Sequence, residues 1–313
     1  MTPMVTPEEA VASFEERFGS HDGFRRLHAK GWLYRGTFSA TRAAAALSSA
    51  AVFSGETIPV VARVSNGGGN PKHPDHAPDV RGLAVKLSSG PNTVDIVAQS
   101  APRFPVRSLD RMVEFVQAND QSPAGLARLA AFVAKDPRTV LPALAADAKA
   151  LKPPASYAEQ RYFAVHAFIW VDADGGRRAV RYTWEPDAGV RFLKSKDAKA
   201  LGPDYLHDEF DQRIAAGPVR FTLKVQVAEP DDRTDDPTIQ WPTSRPVIDA
   251  GTLELAAPET ARETNGDILV FDPTRVVAGI ELSDDPVLHI RSRVYSESVR
   301  RRTGIERPAD LDA

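Results

Sequence analysis

Residues 290–302 read IRSRVYSESVRRR, a single tyrosine, Tyr295, among five arginines. Arg291 and Tyr295 are four residues apart, which on a helix makes them neighbours on one face. A free phenol titrates at about pH 10. A guanidinium held against its oxygen favours the charged form and lowers that value. A phenolate oxygen is a hard anionic ligand suited to ferric iron. The pair by itself is more readily a solvated basic helix, so its chemistry depends on what the rest of the chain brings to it.

Other groupings carry less. HPDH (73–76) sets two histidines and an acid together as metal ligands are often set, but its prolines and loop setting favour a solvated turn. His166 falls on an alternating strand that can bury it as a satisfied polar residue, and it is given no role. The arginines at 300–302 could bind phosphate or nucleic acid. One cluster in a chain of formal net charge -3 makes a weak case for it, so no nucleic-acid partner is expected.

Composition narrows the classes. The 313 residues are 42 % apolar, enough for a proper core, with no apolar run long enough to span a bilayer. The N-terminal stretch is acidic where a signal peptide would be apolar. A cytoplasmic protein without a membrane partner is the expectation. The absence of cysteine excludes disulfides, thiolate catalysis, Cys-based zinc or iron–sulfur sites and covalent c-type haem. With only 3 methionines, it also suits a protein that handles oxidants.

The elements that must position these residues are legible in part. Thr6, Pro7 and Glu9 form a capping box opening a helix that should end near Gly19. Alternation marks strands at 57–66, 81–89, 92–99, 217–229 and 266–273, and a hairpin over 162–185 turning at Asp174–Gly176. The Gly/Pro/Asp-rich stretch 67–80 must be loop. Three apolar-spaced segments between 108 and 152 read as helices, 204–217 as another. The last helix has Asp285 as N-cap, Pro286 after it and Gly304 as its stop. Hairpins in place of alternating strands and helices give an α+β class. Without repeat or linker, residues 1–313 read as one domain.

Five segments in order resemble the catalase family: FRRLHAKG (24–31), VARVSNGGG (61–69), PDVRGLAVKL (78–87), VDIVAQSAPRFPVR (94–107) and DILVFDPTRVVAGIELSDDPVLHIRSRVYSESVRRR (267–302). The chain lacks the N-terminal arm and C-terminal domain of full-size catalases, and so is similar to the small catalase-related peroxidase branch. The resemblance implies a closed antiparallel β-barrel with helices outside and haem b between barrel and last helix. Tyr295 would be the axial iron ligand and Arg291 the cation keeping it anionic. His28 would be the distal acid–base group, its other ring nitrogen fixed by Ser65. Arg25, Arg63 and Arg302 would hold the propionates. Leu27, Gly82, Val97, Phe104, Met112, Phe271, Val294 and Ser298 would complete the haem site.

The sequence departs from the family in three places. The distal asparagine falls on Gln99, whose extra methylene displaces the amide, to the expected detriment of peroxide dismutation more than of peroxidation. Met112 replaces a stacking aromatic. The proximal histidine that partners an acid falls on Thr183, with the acid retained as Asp285. Nothing supports a bound nicotinamide. The expected function is a haem peroxidase reducing organic hydroperoxides or hydrogen peroxide with an external small-molecule donor, as a homodimer. A minimal catalase, an enzyme transforming fatty-acid hydroperoxides and a haem-binding protein without turnover are the alternatives.

Overall fold

The computed structural model describes residues 5–118, 122–263 and 267–305. Helix α1 (Pro7–Phe18) starts on the expected box: Thr6 Oγ1 accepts from Glu9 N at 3.2 Å and Glu9 Oε2 accepts from Thr6 N at 2.8 Å. Strand β1 (Gly31–Ala40) is followed by the short α2 (Arg42–Leu47), then β2 (Thr57–Asn66), β3 (Arg81–Ser89) and β4 (Asn92–Gln99). The helical block is α3 (Leu109–Ala118), α4 (Pro123–Lys135) and α5 (Pro137–Ala150), with 119–121 of the predicted run outside the described residues. The hairpin β5 (Tyr162–Val171) and β6 (Arg177–Pro186) comes next. After α6 (Ser195–Ala200) and α7 (Tyr205–Ala216) come β7 (Val219–Val227), β8 (Val247–Pro258), β9 (Ile280–Leu282) and α8 (Pro286–Thr303).

The strands run in the order β4-β3-β2-β1-β8-β7-β6-β5-β9, all antiparallel, and Gln99 of β4 also pairs with Phe163 of β5. That pair closes β1–β8 into a barrel. Beyond it β9 takes over the same edge of β5 at Phe168–Trp170, so no long edge is left bare. The barrel is filled by large apolar side chains from alternate positions: Tyr34, Phe38, Trp184 and Phe221 are fully buried, and Phe38 meets Trp184 edge-on at 6.1 Å.

The expected strands over 57–66, 81–89 and 92–99 coincide with β2, β3 and β4, because their apolar alternation matches a sheet with one covered face. Strands β1 and β8 carry no such signal: each contains a glycine where the backbones crowd, and Gly251 lies directly under the Phe38 ring.

The strand expected over 266–273 does not form. Gly266 lies outside the described residues, and Asp267–Pro273 run without regular structure. Side chains take the place of a neighbouring strand: Leu269 O accepts from Arg25 Nη2 at 2.9 Å, Val270 O from Arg275 Nη1 at 3.1 Å, and Asp272 N donates to Asp95 Oδ2 at 2.8 Å. The apolar run there reflects the cavity that it lines, not a sheet.

Helix α8 begins and ends as its sequence requires. Asp285 Oδ1 accepts from Val287 N at 2.8 Å, and Gly304 closes the helix at φ 70°. The HPDH loop is not a solvated turn. Asp75 is fully buried and accepts from Lys30 Nζ (2.7 Å), Asn66 Nδ2 (2.7 Å) and Leu206 N (2.9 Å), fastening the loop to β2 and α7. Among the described residues no group of three or more His, Cys, Asp or Glu could hold a metal ion.

Candidate active site

A cavity of about 950 Å³ opens between the barrel, the segment 25–28, α3 and α8. It is lined by Arg25, Leu27, His28, Arg63, Ser65, Gly82, Val97, Gln99, Phe104, Met112, Phe271, Arg291, Val294, Tyr295, Ser298 and Arg302, all of them expected there from the sequence, but not by Thr183 or Asp285. Its size falls within the range of small-molecule and cofactor pockets.

The barrel wall is built by register. Ser65 pairs with Gly82, Gly82 with Gln99 and Gln99 with Phe163, one row across four strands. The next row on the same face sets Arg63 beside Ala84 and Val97. Residues two apart on a strand share a face, so β2 presents Arg63 and Ser65 together.

His28 reaches this wall from an irregular segment. Its amide donates to Gly67 O at 2.9 Å, and it holds a left-handed φ of 53°, rare for a residue with a side chain. Gly69 allows this approach, since a methyl there would strike Arg26 O at 2.3 Å. The imidazole lies across Gly82, where a methyl would come within 2.6 Å of Ser65 Oγ and 2.8 Å of His28 Nδ1. His28 Nδ1 and Ser65 Oγ are 2.9 Å apart. With the Nδ1 hydrogen donated to the hydroxyl, Nε2 is left as an acceptor. Desolvation, with the charges of Arg63, Arg291 and Arg25 around it, pushes the His28 pKa down to about 3. The ring is therefore neutral at physiological pH.

Gln99 does not project its amide freely. Nε2 donates to Arg103 O at 3.0 Å and lies 3.4 Å from Ala101 O, tied to the turn that follows its strand.

The α8 wall carries a chain of polar contacts. Arg291 Nε donates to Tyr295 Oη at 3.0 Å, and Nη2 makes a second bond to the same oxygen. Its Nη1 donates to His166 Nε2 at 2.9 Å, and His166 Nδ1 donates to Asp285 Oδ2 at 2.6 Å. His166 is buried, and desolvation, the largest influence, lowers its pKa against the opposing pull of Asp285.

This corrects two readings made from the sequence. The histidine that partners Asp285 is His166, which had been given no role, and Thr183 does not line the cavity. Thr183 instead pairs across the sheet with Phe163 and Lys224. His166 is buried and hydrogen-bonded on β5, as the alternation implies, but the groups that satisfy it, Asp285 and Arg291, lie 119 and 125 residues away, where no local pattern points to them.

At the far end of the cavity three arginines gather. Arg63 donates to His28 O (2.9 Å) and Ala29 O (3.2 Å). Arg25 donates to Leu269 O, and Arg302 Nε is buried without a hydrogen-bond partner among the described residues. Burial and the neighbouring Arg25 push Arg302 down to about 10. Glu263, not anticipated from the sequence, faces this group, pairing with Arg25 at 2.5 Å and Arg302 at 3.5 Å.

The sequence pattern of the catalase family matches residues 20–308. The chain is 45 % identical to a catalase-related peroxidase of Mycolicibacterium paratuberculosis, over 99 % of this chain and 98 % of that one. It is 35 % identical to a catalase-related peroxidase of Synechococcus elongatus, over 96 % and 89 %. Its fold superposes on the crystal structure of a fungal catalase with a TM-score of 0.81 at 25 % identity, over 95 % of this chain and 62 % of that one. Family pattern, near-full-length relatives and barrel agree, and the chain belongs to the catalase family.

Proposed function

We propose that the protein is a haem-dependent peroxidase that reduces organic hydroperoxides or hydrogen peroxide with electrons from an external small-molecule donor. The observation that carries the reading is the pairing, in one cavity, of a neutral imidazole held by Ser65 with a tyrosine oxygen held by two N–H groups of Arg291. The names of the two long relatives agree with it.

The residues present fit haem b. Tyr295 would hold the iron through the oxygen that Arg291 grips with two N–H groups. Arg25, Arg63 and Arg302 set three guanidinium charges where two propionates would lie, and the buried Arg302 Nε, without a partner among the described residues, is a donor suited to a carboxylate. Leu27, Val97, Met112, Phe271 and Val294 supply apolar walls. When bound, the haem iron supplies the two-electron redox chemistry.

The protein's own residues then manage protons. His28 Nε2 takes the proton from the near oxygen of the hydroperoxide and returns it to the departing oxygen, so that the O–O bond breaks and ROH leaves, while two protons and two electrons from the donor turn the remaining oxygen into water. Ser65 holds the tautomer that leaves Nε2 free. On the other wall, Asp285 and His166 fix Arg291 so that its charge stays on Tyr295. Because Gln99 is tied to the Ala101–Arg103 turn, a second peroxide finds no well-placed amide, which favours an external reductant over dismutation.

We take residues 1–313 as one catalytic unit that works as a homodimer. Among the described residues no helix is long and apolar enough to cross a membrane. The test is turnover of a hydroperoxide with a phenolic donor, with dioxygen followed in parallel. Donor oxidation that far exceeds dioxygen release supports the reading, and dioxygen release without donor oxidation overturns it in favour of a minimal catalase.

A further inference from the structure

Among the described residues only His28 and Glu263 combine a side chain with a left-handed backbone; His28 lines the cavity, and Glu263 pairs with two arginines that line it, Arg25 and Arg302. The strain at His28 aims a catalytic ring. The φ of 62° at Glu263 aims a carboxylate.

The turn that carries it is organised in advance. Glu259 Oε1 accepts from Ala261 N at 2.7 Å and Arg262 N at 3.3 Å, and Arg262 pairs with Asp267 across the turn. The Glu263 carboxylate then meets Arg25 through both guanidinium ends, Nη2–Oε1 at 2.5 Å and Nη1–Oε2 at 3.1 Å, with Arg302 Nη1 at 3.5 Å. Arg302 is 6 % exposed and Glu263 25 %, so these charges are poorly screened by water. Arg63 lies close enough that its charge also lowers the Glu263 pKa, after Arg25 and Arg302, against the opposing effect of burial.

The charges at this edge decide what Glu263 does. Arg25, Arg63 and Arg302 bring three positive charges and Glu263 one negative, leaving two positive charges facing the cavity. A haem edge carries two propionates. We propose that Glu263 is the protein's own third carboxylate at the haem edge: it holds the Arg25 and Arg302 forks in place and brings the edge to neutrality when two propionates bind. The proposal rests on the reading of this cavity as a haem site. It makes Glu263 a positioning residue that also sets the electrostatic potential felt by the iron, because uncompensated positive charge near a haem favours the ferrous state.

The test uses the full chain loaded with haem, comparing wild type with Glu263→Gln, Glu263→Asp and Arg25→Gln by redox titration, with circular dichroism to verify folding. Glu263→Gln keeps the shape and removes the charge, and its ferric/ferrous midpoint is expected above that of wild type. Glu263→Asp returns towards wild type, and Arg25→Gln moves the midpoint the opposite way. A purely structural role would give no such sign reversal. Folded, haem-loaded Glu263→Gln with an unchanged midpoint overturns the proposal. Failure of the wild type itself to bind haem overturns the cofactor reading, a separate result visible in its absorption spectrum.

Discussion

His166 and Arg291 meet at 2.9 Å across a sequence separation of 125 residues, joining the middle of a barrel strand to the last helix. Through this contact the Asp285 carboxylate, which starts α8, also steers the guanidinium that holds Tyr295 one turn further along.

The two tasks of Asp285 can be separated. Asp285→Asn keeps an oxygen for the cap and loses the charge facing His166, and it is expected to alter the visible spectrum with little change in melting temperature. Asp285→Ala removes the cap as well and is expected to lose a further ~1 kcal/mol of stability, read by thermal denaturation. His166→Gln should reproduce the spectral change of Asp285→Asn, since either breaks the same chain of contacts.

Tyr295→Phe deletes the oxygen on which Arg291 converges and leaves the packing of the ring intact. Haem added to this variant is expected to lose the high-spin ferric spectrum of a tyrosine-bound iron, and peroxidase turnover with it. A spectrum indifferent to the substitution would assign the iron ligand elsewhere.

His28→Ala is expected to lower hydroperoxide turnover by about 10²–10⁴-fold, the usual worth of a positioned acid–base group, with haem retained. The pH dependence has a definite sign. His28 titrates at about 3 in the folded chain, against about 6.5 for a free histidine. Between those values the unfolded chain binds a proton that the folded one does not, so His28 lowers stability as pH falls from about 6.5 towards 3 and has no such effect above neutrality. His28→Ala should therefore flatten the acid side of the stability curve, measured by denaturant titration at several pH values.

Much of the site was legible in sequence because its residues sit in short ordered motifs: Arg63 and Ser65 two apart on β2, Arg291 and Tyr295 four apart on α8, Asp285 before a proline. The strands of the distal wall were legible too, since alternation reports a sheet with one covered face. His166 was legible as a buried, satisfied side chain, but its role was hidden because an alternating strand does not say which groups satisfy a buried ring. Glu263 was hidden for a different reason: its partners Arg25 and Arg302 lie 238 and 39 residues away, and a carboxylate in a polar turn looks like any solvated acid. The segment 267–273 misled because an apolar run that lines a cavity and one that joins a sheet have the same composition.

Gly82→Ala tests the closeness of the imidazole to the barrel. The added methyl would have to share space with Ser65 Oγ and His28 Nδ1, so the ring must shift. A misplacement of that order is expected to cost about 10²-fold in turnover while the chain stays folded, as assessed by circular dichroism.

Gln99→Asn shortens the amide and frees it from the carbonyl of Arg103. The ratio of dioxygen evolved to donor oxidised is expected to rise. An unchanged ratio would place the preference for an external donor in some other residue.

One pair, Gln99 with Phe163, is what joins β4 to β5. The neighbouring strand pairs share longer ladders, so this join is the seam along which the barrel can breathe at the smallest loss of hydrogen bonds. Gln99 therefore rides on the most compliant line of the scaffold. The placing of Gln99 is tied to the opening and closing of a single backbone contact, while the tyrosine side is anchored through Asp285 to the start of a long helix. The two faces of the cavity differ in stiffness as well as in chemistry.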